Sequence, residues 1–282
     1  MHEELPNRQK NNWSRVLSVF ALVVVLCFSS AASQAEQGTT ADGMATALKA
    51  LLAAPHRAEQ ESVRDQYRHP VETLTWFGIQ PQMKVVEIWP GGGWYTAILA
   101  PFLKERGLYY AAIFQNAQPF KDKLAANSDV YGKVIVTELI SPEKTEVAPA
   151  GSADMVLTFR NVHNWMNRGF AEDVFKAMYR ALKPEGILGV VEHRGNPAGP
   201  QDPKAVSGYV TEEHVIKLAE AAGFRLVGRS EINANAKDTK DYPQGVWTLP
   251  PVLRLGEVDR DKYLAIGESD RMTLKFKKPA AQ

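Results

Sequence analysis

Two histidines, a glycine loop and a few polar residues beside them are the parts of this chain whose types and spacing could do chemistry. The segment Val85-Val86-Glu87-Ile88-Trp89-Pro90-Gly91-Gly92-Gly93-Trp94-Tyr95 sets three glycines between a β-branched run and an apolar helical run. Glycine lets a backbone turn sharply and approach a ligand with no Cβ in the way. Free N–H groups at the start of the next helix face anionic ligand groups. His163 stands in Phe159-Arg160-Asn161-Val162-His163-Asn164-Trp165, and His193 in Glu192-His193-Arg194. Histidine titrates near neutrality, so either one suits a general base or an acceptor-orienting group, with a structural loop histidine as the alternative. Asn161, Asn164 and Arg194 read as polar positioners. A metal reading would use His163, His193 and Glu192, because imidazole and carboxylate suit zinc or iron. No close spacing such as H-x-x-x-H supports it, and the expectation is a site without metal. His56 follows a proline in a turn and His214 lies beside Glu213 on a helix, so both read as structural or solvated.

Positioning those groups requires a sheet. Short β-branched runs at 84–88, 108–113, 134–138, 155–159, 187–192, 225–232 and 272–277 read as strands. Amphipathic helices near 95–104, 120–127, 171–182 and 211–222 separate them, the pattern of a parallel sheet with crossover helices. Ahead of the first strand, helices are expected at 44–54, 58–67 and 71–77. Residues 234–268 show no strong period but carry Tyr242, Trp247 and Pro250-Pro251. A segment of that length reads as a cover over the ligand edge or as an interface.

With these residues in view, the sequence resembles the class I S-adenosylmethionine-dependent methyltransferases. The resemblance rests on VVEIWPGGGWY, DMVLTFRNVHNW, LKPEGILGVVEHR and the late RMTLKF, and runs from about Arg64 to the end. More narrowly, Arg68-His69-Pro70-Val71-Glu72-Thr73-Leu74 resembles the exported predicted methyltransferases of bacteria. The resemblance implies a Rossmann-like α/β fold, with a seven-stranded, mostly parallel sheet and an antiparallel last strand. It implies S-adenosyl-L-methionine as cofactor. Glu87 falls where the family's first-strand acid holds the methionine amino group, and Gly91, Gly92 and Gly93 pass under the cofactor. Tyr95, Arg160 and Asn161 join the cofactor site, and His163, His193 and Asn164 are the expected catalytic residues. Tyr67, Arg68 and Thr73, ahead of the first strand, either line the site or belong to an ion-pair network of Arg64, Asp65 and Arg68.

Two departures stand out. Trp89 replaces the loop's first glycine, and Tyr110-Ala111-Ala112-Ile113-Phe114 lacks the acid that holds the ribose. A dinucleotide reading fails because Thr96 stands where G-x-G-x-x-G needs glycine. Trp89, Trp94 and Tyr95 offer faces on which a sulfonium would gain ~0.5–2 kcal/mol. The expected activity is methyl transfer to a small-molecule or envelope acceptor. The alternatives are an exported, non-catalytic binding protein on the same fold, and a metal-assisted enzyme.

Composition agrees with a globular chain: 45% of the 282 residues are apolar and 23% charged, which excludes disordered and collagen-like classes. Lys plus Arg number 33 against 32 Asp plus Glu, so no basic excess points to nucleic acid. Arg8, Lys10 and Arg15 precede an apolar run over 16–28 and then SSAASQA. That order reads as a secretory leader cleaved near Ala35. The run rises only ~20 Å as a helix, short of a ~30 Å bilayer core. The expected division is therefore a leader over 1–35, a helical extension over 36–80 and the methyltransferase-like domain over 81–282, in a periplasmic or extracellular protein. Cys27, the one cysteine, leaves with the leader, which removes disulfides and thiolate ligands.

Overall fold

A computed structural model describes residues 1–2, 41–115 and 117–280. Apart from its first two residues, the leader expected over 1–35 lies outside them. The chain divides into two compact units, Met1–Asp42 and Gly43–Gln282, and the second carries the sheet. Among the described residues no helix is long and apolar enough to cross a membrane.

Before the sheet come α1 (Ala41–Leu52), the single turns α2 (Glu59–Ser62) and α3 (Asp65–Arg68), and α4 (Pro70–Phe77). Pro70 starts α4, where its fixed φ suits a helix and its missing N–H costs nothing. Met44, Leu48, Leu74 and Phe77 share one core cluster with Val85, Ile98 and Leu99. The segment ahead of β1 is thus packed onto the sheet.

The remaining order is β1 (Lys84–Ile88), α5 (Thr96–Leu103), β2 (Leu108–Ile113), α6 (Gln118–Ala126), α7 (Ser128–Tyr131), β3 (Ile135–Glu138) and β4 (Ala153–Phe159). Then follow α8 (Val162–Arg168), α9 (Ala171–Ala181), β5 (Leu182–His193), α10 (Glu212–Ala221), β6 (Arg225–Ser230), a 3-10 turn (Gly245–Thr248), α11 (Arg260–Ile266) and β7 (Arg271–Lys277). The strand order is β3-β2-β1-β4-β5-β7-β6. Only β7 runs antiparallel, paired with β5 and with β6. The seven-stranded, mostly parallel sheet with an antiparallel last strand is therefore present.

Alternation along each strand divides the core between the two faces. Val86, Ile88, Val156, Leu188 and Val190 join one cluster, and Val85, Met155, Leu157 and Val191 the other. The sequence pattern predicts no helix between the strand at 155–159 and the helix at 171–182, whereas α8 begins at Val162 and carries His163. The fifth strand, expected over 187–192, also begins earlier. It starts at Leu182, pairs with Ala153, and shifts register before Met155.

Candidate functional site

The strand order reverses between β1 and β4, the point where ligands of open α/β sheets bind. The glycine turn stands there. Trp89, Gly91 and Gly93 all have left-handed backbone, with φ of 49°, 59° and 79°. That conformation is uncommon for a bulky residue and persists only where the surroundings over-determine it. The surroundings are visible. The Trp89 backbone N–H donates to the Ala112 carbonyl at 2.8 Å, and its Nε1 donates to the Leu139 carbonyl at 3.1 Å. Its ring lies 4.5 Å from Phe114, 5.9 Å from Phe170 and 6.1 Å from Trp165.

A Cβ at Gly91 or Gly92 would meet nothing within 4 Å, whereas one at Gly93 would sit 3.1 Å from the Phe120 ring. A cleft of about 170 Å³ opens beside the turn, walled by Trp89, Gly91, Ile113, Phe114 and Asn161. Asn161 acts as a brace. Its Nδ2 donates to the carbonyls of Ile88 (2.9 Å) and Trp89 (3.2 Å), tying the end of β4 to the turn.

Glu87 lies beneath, buried, with Oε2 accepting from the hydroxyls of Tyr109 and Thr96. Burial pushes its carboxyl up to about 7, against the opposing pull of those hydroxyls. Tyr95 stacks flat on Phe159, with centroids 3.5 Å apart, and burial pushes its phenol up to about 12. Of the three candidate aromatics, Trp94 already serves the chain's own cations. The Arg68 and Arg57 guanidinium groups lie 4.4 and 5.2 Å from its ring centroid.

The histidines meet at the ends of β4 and β5. Their ring centroids are 5.4 Å apart. Glu192, fully buried, joins them. Its Oε2 accepts from the backbone N–H of Val162 (2.6 Å) and His163 (3.3 Å), which satisfies the open start of α8. Its Oε1 accepts from the His193 N–H at 2.7 Å and lies 3.0 Å from His163 Nδ1. An ionised carboxylate only accepts, so Nδ1 carries the proton and Nε2 of His163 is the basic nitrogen. His193 Nδ1 is 2.5 Å from Ser269 Oγ. Burial, then the nearby His163 and Arg271, hold His193 well below its ordinary range, so it is neutral at pH 7.

His163, Glu192 and His193 each offer a ligand atom within 4.8 Å of the others, a spacing that admits a metal ion. Both oxygens of Glu192 are already engaged by N–H donors, however, which suits an orienting role better. Trp247, from the 234–268 segment, stands edge-on 6.0 Å from His163. Asn164 is half-buried one residue further along α8, with no side-chain hydrogen bond among the described residues.

Several sequence expectations change. Arg194, read as a polar positioner, is held by ion pairs to Asp270, Glu231 and Glu212. Asp65 pairs with Arg57, not with Arg68, and Arg64 pairs with Glu268. His56, by contrast, is structural as expected: its Nε2 donates to the Ala97 carbonyl at 2.8 Å. Sequence reasoning weighed Glu192 only as a metal ligand, named Trp247 only as part of a possible cover, and gave no role to Ser269 or Glu268. The one available signal was the adjacency of Glu192 and His193 at a strand end.

No family model matches the chain, and no curated protein does. Solved structures do. An S-adenosylmethionine-dependent methyltransferase from Aquifex aeolicus is similar over 83% of this chain and 98% of its own, with a TM-score of 0.53 and 17% identity. The chain has the class I methyltransferase fold. The [4+2]-cyclase SpnF is similar over 81% of this chain and 86% of its own, with a TM-score of 0.51 and 16% identity. A class I methyltransferase fold thus fixes where a ligand sits and leaves the reaction to the side chains at that edge.

Proposed function

We propose that this chain is an S-adenosylmethionine-dependent methyltransferase with a small-molecule or envelope acceptor, exported by its N-terminal leader. The observation that carries the reading is the glycine turn, left-handed at Gly91, open where a Cβ would stand, and facing a cleft at the strand-order reversal. These residues fit the cofactor: the bare backbone of Gly91 and Gly92 admits close approach, and Trp89, Ile113 and Phe114 offer apolar walls to a nucleoside. When bound, the cofactor supplies a methyl group on a sulfonium.

The chain's main task is then positioning, which can supply as much as ~7–11 kcal/mol. The Glu192–His163 pair takes the proton of a hydroxyl or amine acceptor at His163 Nε2. Neutral His193 and the unengaged Asn164 amide orient that acceptor.

Two observations favour a second reading, a non-catalytic binding protein. Trp89 fills part of the edge, and the cleft of about 170 Å³ is smaller than the ~300–1,000 Å³ of ordinary ligand pockets. Calorimetric titration with S-adenosylmethionine and S-adenosylhomocysteine separates the readings. Micromolar binding of both, followed by S-adenosylhomocysteine release in an acceptor screen, supports the enzyme. No heat and no thermal shift at millimolar ligand removes it.

A further inference from the structure

Behind Tyr95 and Phe159 lies a second, smaller cavity. Arg68, Arg160, Arg271 and Asn233 line it. Its volume of about 10 Å³ is roughly that of one water, so it takes a single oxygen atom and not a whole group. It shares no lining residue with the glycine cleft. It sits over the ends of β4 and β5, beside the histidines.

The charge around it does not balance. Arg64, Arg68 and Arg271 all pair with one carboxylate, Glu268. Arg160 has neither an ion pair nor a side-chain hydrogen bond among the described residues. Arg68 is 3% exposed, its Nε has no hydrogen-bond partner, and its nearest carboxylate oxygen is 3.8 Å away. The Trp94 face gives Arg68 a cation–π contact but no acceptor. Backbone strain falls at the same place, since Arg160 has φ of 61°. Burial, then repulsion from Arg160 and Arg64, pulls the Arg68 guanidinium down to about 7. Arginine stays protonated in proteins, so the stress persists as uncompensated positive charge. A planar fork of donors with no acceptor is the arrangement that binds carboxylates and phosphates.

We infer that the Arg68–Arg160–Arg271 cavity receives one oxygen of a compact oxyanion, a carboxylate or phosphate, carried by the methyl acceptor. Naming the acceptor as the carrier rests on the methyltransferase reading; the anion site itself does not. An anion there would lie next to His193, whose ionisation already responds to Arg271, Arg160 and Arg68.

The test is titration of the full chain with inorganic phosphate and with acetate, in the presence and absence of S-adenosylhomocysteine. Wild type should bind phosphate at millimolar concentration or tighter. Arg160→Gln should weaken it about tenfold or more, with Arg160→Lys between the two. Circular dichroism of both variants should match wild type, because Arg160 makes no side-chain contact that the fold needs. S-adenosylhomocysteine should bind alongside phosphate and not displace it. Absence of phosphate and acetate binding to wild type overturns the anion site. Competition between phosphate and S-adenosylhomocysteine overturns the acceptor assignment if Arg160→Gln weakens that ligand but not 5′-methylthioadenosine, which lacks the amino-acid part. Phosphate binding without any S-adenosylhomocysteine binding would keep the anion site and bring down the methyltransferase reading alone.

Discussion

Glu87 and Glu268 are equally buried, each 2% exposed, yet their carboxyls are pushed in opposite directions. Glu87 is held mainly by hydroxyls, and burial lifts it to about 7. Glu268 suffers burial too, but Arg271, the hydrogen bond from Arg64, and Arg68 outweigh it and hold its carboxyl at about 2. The two acids mark two halves of one ligand edge. The half over β1 and β2 holds its buried acid by hydroxyls, with glycines and aromatics for a floor. The half over β4, β5 and β7 holds a cationic group, in which Arg64, Arg68 and Arg271 share the single carboxylate of Glu268 and Arg160 has no ion pair among the described residues. Burial alone therefore does not set a charge state; the partners other elements bring do.

The strongest way to break this contrast is Glu268→Gln. It strips three arginines of their carboxylate and should cost ~3–5 kcal/mol at neutral pH, read by urea denaturation. A loss below about 1 kcal/mol, the level of an exposed pair, would show that the cationic half needs no counter-charge. His163→Ala tests the same half by rate. Transfer should slow by ~10²–10⁴ while S-adenosylhomocysteine affinity holds, because the glycine cleft lies in the other half. Full turnover would make His163 a structural residue.

The pH dependence should separate the two acids by sign. The folded pKa of Glu87, about 7, lies above the usual 4.5. Its contribution to stability is present below pH 4.5 and is lost as pH rises towards 7. The folded pKa of Glu268, about 2, lies below 4.5. Its contribution is present above pH 4.5 and is lost as pH falls towards 2. Each amounts to about 3 kcal/mol by linkage. In urea denaturation across this range, Glu87→Gln should flatten the upper limb and leave the acid limb intact. An unchanged upper limb would dissolve the contrast.

The smallest effects sharpen the glycine half. Gly91→Ala must hold a left-handed backbone and should cost ~1–2 kcal/mol. Gly92→Ala, with open space and no such backbone, should stay within ~0.5 kcal/mol. Equal melting temperatures for the two would mean the turn relaxes freely.

Much of the frame was legible in the sequence, because apolar periodicity reports local structure. The first two strands fall where the residue pattern puts them, and the glycine turn follows the first. Short elements were less legible. The seven residues of α8 carry no strong period, and the helix is secured at its start by Glu192, 30 residues from Val162 in the chain. The sheet end of β5 was misread because its first residues pair with Ala153 across a register shift, and only the neighbouring strand decides that.

By itself the sequence determined the alternation of strands and helices, the glycine turn and the two histidines at strand ends. Each depends on residues within a few positions of one another. Tertiary structure alone decided which charges are answered. Glu268 lies 204 residues from the Arg64 it holds, and Ser269 lies 76 from His193. No local pattern encodes such pairings, because they arise only when β7 inserts beside β5 and its leading segment meets the turns that precede β1. The same insertion leaves Arg160 unanswered at the end of β4.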